Sequence, residues 1–185
     1  YRKVNSLNFH RTMTLAFIFP AILTAILTGC QGNKEQASSQ PKTIFGADDR
    51  VEMTSEAMPW SAIGKIRTAR GHCTGNLVGP DLVLTNAHCV FNPDKTLASD
   101  IEFLPNFKNG QGTYSSFANH VWWGTKDPNS ERNLDWAIIR LNSRLGDRFG
   151  FFGTRILDFT NTAPMAGWFT LAGYSSDFRN GDTAG

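Results

Sequence analysis

The segment between Cys73 and Cys89 constrains the fold of this 185-residue chain more than any other part of the sequence. Two short runs of apolar, β-branched residues flank Gly79-Pro80-Asp81, which is a typical turn sequence, so the segment predicts a β-hairpin. Its second run ends in Thr85-Asn86-Ala87-His88-Cys89, which places an imidazole at the exit of a strand. A bridge between the two cysteines would fix that exit, and closing a loop of this length contributes about 3 kcal/mol.

Short strands are also predicted along the rest of the chain from Ile44 onward. Runs of β-branched and aromatic residues alternate with turn clusters, without a sustained helical period and without an internal repeat. The predicted strands lie near residues 62–68, 74–78, 82–85, 101–104, 118–123, 136–141 and 168–173. This spacing predicts an all-β domain built as a barrel or a sandwich.

The first 43 residues have a different composition. Arg2, Lys3 and Arg11 precede an apolar run over 13–28, which is shorter than the ~20 residues that a bilayer-spanning helix needs. The run ends in Leu27-Thr28-Gly29-Cys30, which resembles the bacterial lipobox, a motif in which the Cys sulfur receives a lipid. We therefore expect a signal peptide at 1–29 and a polar, flexible tether at 30–43. An ordinary signal peptide or signal anchor with a chance Cys is the alternative.

Lipid on Cys30 would anchor an exported chain to a membrane, on its periplasmic or cell-surface side. That assignment leaves Cys73 and Cys89 as a pair in a compartment that permits disulfides. The net charge of +2 comes from the leader, because the remaining 15 Lys and Arg face 16 Asp and Glu, a net charge of −1. The folded part therefore gives no electrostatic reason to expect a nucleic-acid partner.

The hairpin motif resembles the trypsin/chymotrypsin-like serine peptidases, and within them the bacterial glutamyl-endopeptidase-like branch. Residues 85–89 match that family's Thr-Ala-Ala-His-Cys pattern except at Asn86. The resemblance implies a double antiparallel β-barrel that cleaves polypeptides. It also implies that His88 is the general base, which takes a proton from the attacking Ser and returns it to the leaving amine. A purely structural histidine is the alternative.

A second match to the same family lies at Asp135-Trp136-Ala137. A carboxylate that opens an apolar strand needs a polar partner if it is buried. The segment is similar to the family's Asp-aromatic-Ala run and follows the His motif in the same order. The resemblance implies that Asp135 holds the Nδ1–H of His88, fixes its tautomer and stabilises the imidazolium. An Asp that only caps a strand is the alternative.

The family's nucleophile, a Ser followed by Gly, has no match in this sequence. Gly181-Asp182-Thr183-Ala184-Gly185 is superficially similar, but Thr183 lies too close to Asp135 and to Ala172-Gly173-Tyr174, which resembles a turn early in the second barrel. We expect a first barrel at 44–160 and only the start of a second at 161–185. The chain as given would then lack its nucleophile and be inactive, and no cofactor is expected.

Two other classes of protein remain as alternatives. Two His-Cys pairs, His72-Cys73 and His88-Cys89, could form a metal module, although neighbouring side chains on a strand point to opposite faces. The second alternative is a lipoprotein that uses the barrel to bind a partner and has no catalytic activity.

Overall fold

Six antiparallel strands of the chain close into one β-barrel. The computed structural model describes residues 47–156, 160 and 170–185. The strands are β1 (Ile63–Thr68), β2 (Gly71–Leu77), β3 (Leu82–Thr85), β4 (Glu102–Pro105), β5 (Ser116–Trp123) and β6 (Ala137–Leu141). Around the barrel their order is β1-β2-β3-β6-β5-β4. One short helix, α1 (Gly146–Phe149), follows β6.

The all-β fold predicted from the sequence is confirmed, and six of the predicted strands correspond to β1–β6 with shifts of a few residues at their ends. The seventh, at 168–173, is not a strand in its described part, 170–173. There, Gly173 exchanges a reciprocal pair of backbone hydrogen bonds with Gly185, both 3.1 Å long. One such pair is a local contact, whereas a strand needs a ladder that continues along its neighbour.

Apolar side chains from each of the six strands fill the barrel interior. Ile66, Leu77, Val83, Phe103 and Ile139 are fully buried. The space is so full that a Cβ added at Gly75 would lie 2.6 Å from the Val83 side chain and 2.8 Å from that of Ile66. Such density makes the barrel a rigid support for side chains at its ends.

The register of β3 and β6 decides which residues meet at one end of the barrel. Thr85 lies directly opposite Ala137 in this antiparallel pair. The chain leaves β3 just before His88 and enters β6 just after Asp135, so both segments emerge at the same end. The fold therefore brings the two motifs together although they are far apart in sequence.

The C-terminal segment packs on the outside of the same barrel. The Tyr174 N–H donates to Thr74 Oγ1 (2.8 Å), and its buried hydroxyl donates to the Phe107 carbonyl (2.9 Å). Tyr174 and Ala184 belong to a second apolar cluster with Ile63 and other barrel residues. The expected start of a second barrel at 161–185 stays a prediction, since 161–169 lie outside the described residues.

The signal peptide, Cys30 and the tether at 30–43 also lie outside the described residues. Within the described ranges, no helix has the length and apolar character that crossing a bilayer requires.

Candidate active site

A single turn of 3-10 helix, Ala87–Cys89, presents His88 at the exit of β3. Ala87 and Val90 are fully buried, so they fix the turn to the barrel core on either side of the histidine. The His88 side chain itself is 56% exposed. The turn therefore holds the backbone of His88 while leaving its imidazole accessible from solvent.

A disulfide joins this turn to strand β2. The Cys73 and Cys89 sulfurs are bonded, as the sequence predicted. Cys73 lies opposite Ile66 of β1, so the bridge links the His88 turn to the middle of the β1–β2 ladder. The bond leaves the turn little freedom to move away from the barrel.

Asp135 lies next to His88 and contacts it twice. Its Oδ2 is 2.7 Å from His88 Nδ1, and its Oδ1 accepts the His88 backbone N–H at 2.9 Å. A 3-10 turn, Arg132–Leu134, delivers the carboxylate to this position just before β6 begins. The two contacts fix both the position of the turn and the orientation of the imidazole.

Asn86 provides a third connection between the two segments. Its amide donates to the backbone carbonyl of Asp135 at 2.9 Å. The sequence analysis identifies Asn86 only as the residue that differs from the family's pattern and predicts no contact for it. Its place next to the His88 turn could have indicated this contact, because an amide side chain can bond backbone groups of a neighbouring segment.

The carboxylate of Asp135 is held in its charged form. Partial burial raises the pKa of Asp135, but the hydrogen bonds from the His88 backbone and imidazole outweigh it, so the pKa lies below its usual value. A charged carboxylate at Nδ1 favours the tautomer that carries its proton on that nitrogen. The Nε2 lone pair is then free to accept a proton from a bound group.

Thr183 does not present its hydroxyl to this site. The residue is 2% exposed, and its Oγ1 accepts the Asn109 backbone N–H at 3.1 Å. That bond places Thr183 against the loop between β4 and β5, which supports the sequence argument against Thr183 as a nucleophile.

An open groove of about 860 Å³ begins at the site. Asn86 and Asp135 line it, together with the exposed apolar side chains of Leu84, Trp136 and Leu171. Leu171 is 96% exposed.

The family model of trypsin matches residues 48–183, which is most of the chain and includes every residue of the site. The chain belongs to the trypsin family. Among curated relatives it is 28% identical over 141 residues to the glutamyl endopeptidase of Bacillus licheniformis, covering 74% of this chain and 43% of the relative. It is 26% identical over 147 residues to a Bacillus subtilis protein named extracellular metalloprotease, covering 75% and 46%. The chain thus spans about half the length of these two relatives.

Solved structures of the same fold include a Glu endopeptidase in complex with MPD, with a TM-score of 0.56 at 23% identity, over 60% of this chain and 54% of that one. The protease Anisep from Arthrobacter nicotinovorans has a TM-score of 0.51 at 25% identity, over 68% and 62%. These likenesses agree with a trypsin-like barrel.

Proposed function

We propose that this trypsin-family chain carries the general base and its orienting acid in an exported serine endopeptidase. His88 would be the base, and Asp135 would fix its tautomer and stabilise the imidazolium. The observation that carries the proposal is the 2.7 Å contact between His88 Nδ1 and Asp135 Oδ2, with the imidazole open to solvent. The Bacillus relatives, named glutamyl endopeptidase and extracellular metalloprotease, support export and a polypeptide substrate.

The nucleophile, in this proposal, is a Ser outside residues 1–185. Within the chain no Ser is followed by Gly, and the Thr183 hydroxyl is buried and bonded. The open groove beside Asp135 is where a second barrel would complete the site, so that substrate lies between the two barrels. Residues 1–185 by themselves should then show no peptidase activity.

Activity of a longer product tests these roles directly. The coding sequence downstream of Gly185 is expected to contain a Gly-x-Ser-Gly segment, and the product that includes it should hydrolyse unfolded casein. His88→Ala should lower kcat by about 10⁶ and Asp135→Asn by about 10⁴. His120→Ala is the matched control, because His120 is exposed on β5 and its ring contacts Trp122 rather than His88 or Asp135. An in-frame stop after Gly185, or full activity in His88→Ala, would favour the binding lipoprotein instead.

We also propose that Cys30 carries a lipid that anchors the exported protein to a membrane. The support is the Leu27-Thr28-Gly29-Cys30 sequence at the end of the apolar leader. Labelling of bacterial cells with a radioactive fatty acid should mark the wild-type protein and place it in the membrane fraction. Cys30→Ser should abolish the label, whereas Cys89→Ser should keep it. An unlabelled wild-type protein would contradict the anchor.

A further inference from the structure

We propose that reduction of the Cys73–Cys89 disulfide turns this end of the barrel into a zinc-binding site. Its ligands would be the two cysteine thiolates and the imidazole of His88. One ligand atom from each of these residues lies within 4.8 Å of the other two. Thiolate sulfur and imidazole nitrogen are the ligands that Zn²⁺ prefers, and two sulfurs with one nitrogen match a known ligand set.

The 3-10 turn is what makes this grouping possible. From the sequence, a His-Cys pair on a strand would point its side chains to opposite faces. His88 and Cys89 are instead on a 3-10 turn, which brings an imidazole nitrogen close to both sulfurs. His72, in contrast, lies on strand β2 and its ring faces Gly181, so the site uses one histidine and not two.

Asp135 supplies the outer partner that zinc-bound histidines need. It occupies Nδ1 of His88 at 2.7 Å, which leaves Nε2 for the metal. A carboxylate bonded to the imidazole nitrogen that does not bind the metal orients the ring and raises the ring's basicity. Loss of that carboxylate lowers metal affinity about 10–100-fold. The contact that would prepare His88 as a base therefore also prepares it as a ligand.

The site is accessible from solvent. A cavity of about 150 Å³ is lined by Cys73, His88 and Cys89, with Arg70 and Phe91 among the other lining residues. Both cysteines are half-buried rather than buried, so a small reductant and a hydrated ion can reach them. The cavity also has room for the water that would complete a tetrahedral site.

The chemistry requires a two-electron reductant. A dithiol passes two electrons and two protons to the disulfide, breaking the S–S bond and forming two thiols, while the dithiol becomes a disulfide. Zinc binding then displaces the two thiol protons, so the site holds two thiolates and a neutral imidazole. If the proposed function is correct, zinc on Nε2 removes the lone pair that would accept the nucleophile's proton. The metal would then keep the enzyme inactive under reducing conditions.

Zinc stoichiometry tests the site without reference to peptidase activity. The chain of residues 1–185 with Cys30→Ser, which removes the third thiol, is reduced with a phosphine, separated from it under argon and titrated with Zn²⁺ against a competing chelator. We expect one zinc per reduced chain and none on the oxidised chain. Co²⁺ in place of zinc should give a sulfur-to-metal absorption band. Asp135→Asn should weaken affinity about 10–100-fold, and His88→Ala should weaken it more.

The matched control is His120→Ala, which removes an exposed imidazole elsewhere and should leave zinc affinity unchanged. Near-UV circular dichroism of each reduced variant reports whether the barrel stays folded. Zinc affinity that is unchanged by His88→Ala, or reduced wild-type chain that takes up no zinc, would overturn the proposal. Neither result bears on the proposed role of His88 as a base, which the hydrolysis assay tests separately.

Discussion

Removing the disulfide should destabilise the barrel by an amount that follows from the loop it closes. Cys73 and Cys89 are 16 residues apart in sequence. The chain-entropy model gives about 10 cal/mol/K for a loop of this length, which is about 3 kcal/mol at 25 °C. With a urea slope of about 2 kcal/mol/M, the unfolding midpoint of Cys73→Ala/Cys89→Ala should fall by roughly 1.5 M.

The assay is urea unfolding followed by tryptophan fluorescence, on wild type and the double variant with and without a phosphine reductant. Reduction should lower the wild-type midpoint nearly to that of the double variant and leave the variant's midpoint unchanged. This control separates the cross-link from the loss of two side chains. A loss under about 1 kcal/mol in the double variant, or equal midpoints for oxidised and reduced wild type, would refute the reasoning that the bridge stabilises the barrel by constraining the unfolded chain.

Three further substitutions test the packing and the electrostatics. Phe103→Ala should cost about 3–5 kcal/mol in thermal or urea unfolding, because Phe103 is fully buried in the barrel; a cost below about 1 kcal/mol would contradict the assigned core. Gly75→Ala should cost about 1–3 kcal/mol, since its new methyl would overlap Val83 and Ile66, and an unchanged midpoint would show that the interior is looser than described. Asp135 has a lowered pKa in the folded state, so its charge stabilises the fold above the unfolded value of about 3.9 and this stabilisation is lost as pH falls through the folded pKa. The difference in unfolding free energy between wild type and Asp135→Asn should therefore shrink below about pH 4, and a difference that stays constant from pH 6 to pH 2 would contradict the lowered pKa.

Local sequence patterns were enough to predict six strands and the hairpin turn between β2 and β3. The apolar runs of β3 and β6 are local signals, and Gly79-Pro80-Asp81 marks the turn between β2 and β3. The order of strands around the barrel was not predictable in this way, because β6 inserts between β3 and β5 through pairings between distant segments. Loop closure over such distances leaves no local pattern.

Local sequence patterns also fail to predict the environment of a side chain when its partners come from distant segments. Lys65 is on strand β1 and would be placed at the surface by its charge, yet it is 7% exposed. Its ammonium donates to the Gly181 carbonyl at 2.7 Å and lies 4.6 Å from the centre of the Phe107 ring. Both partners come from other parts of the chain, so no pattern around Lys65 could indicate them. The His88–Asp135 contact was predicted only because both motifs resemble one family.

The most direct test of the central arrangement is the tautomer of His88 in solution. Long-range ¹H–¹⁵N NMR of the four histidines should show a neutral His88 imidazole with its proton on Nδ1, bonded to Asp135 and protected from exchange with water. Asp135→Asn should shift the tautomer toward Nε2–H and remove the protection, with His120 unchanged. A His88 ring that is protonated on Nε2 in the wild type, or that does not respond to Asp135→Asn, would contradict the account.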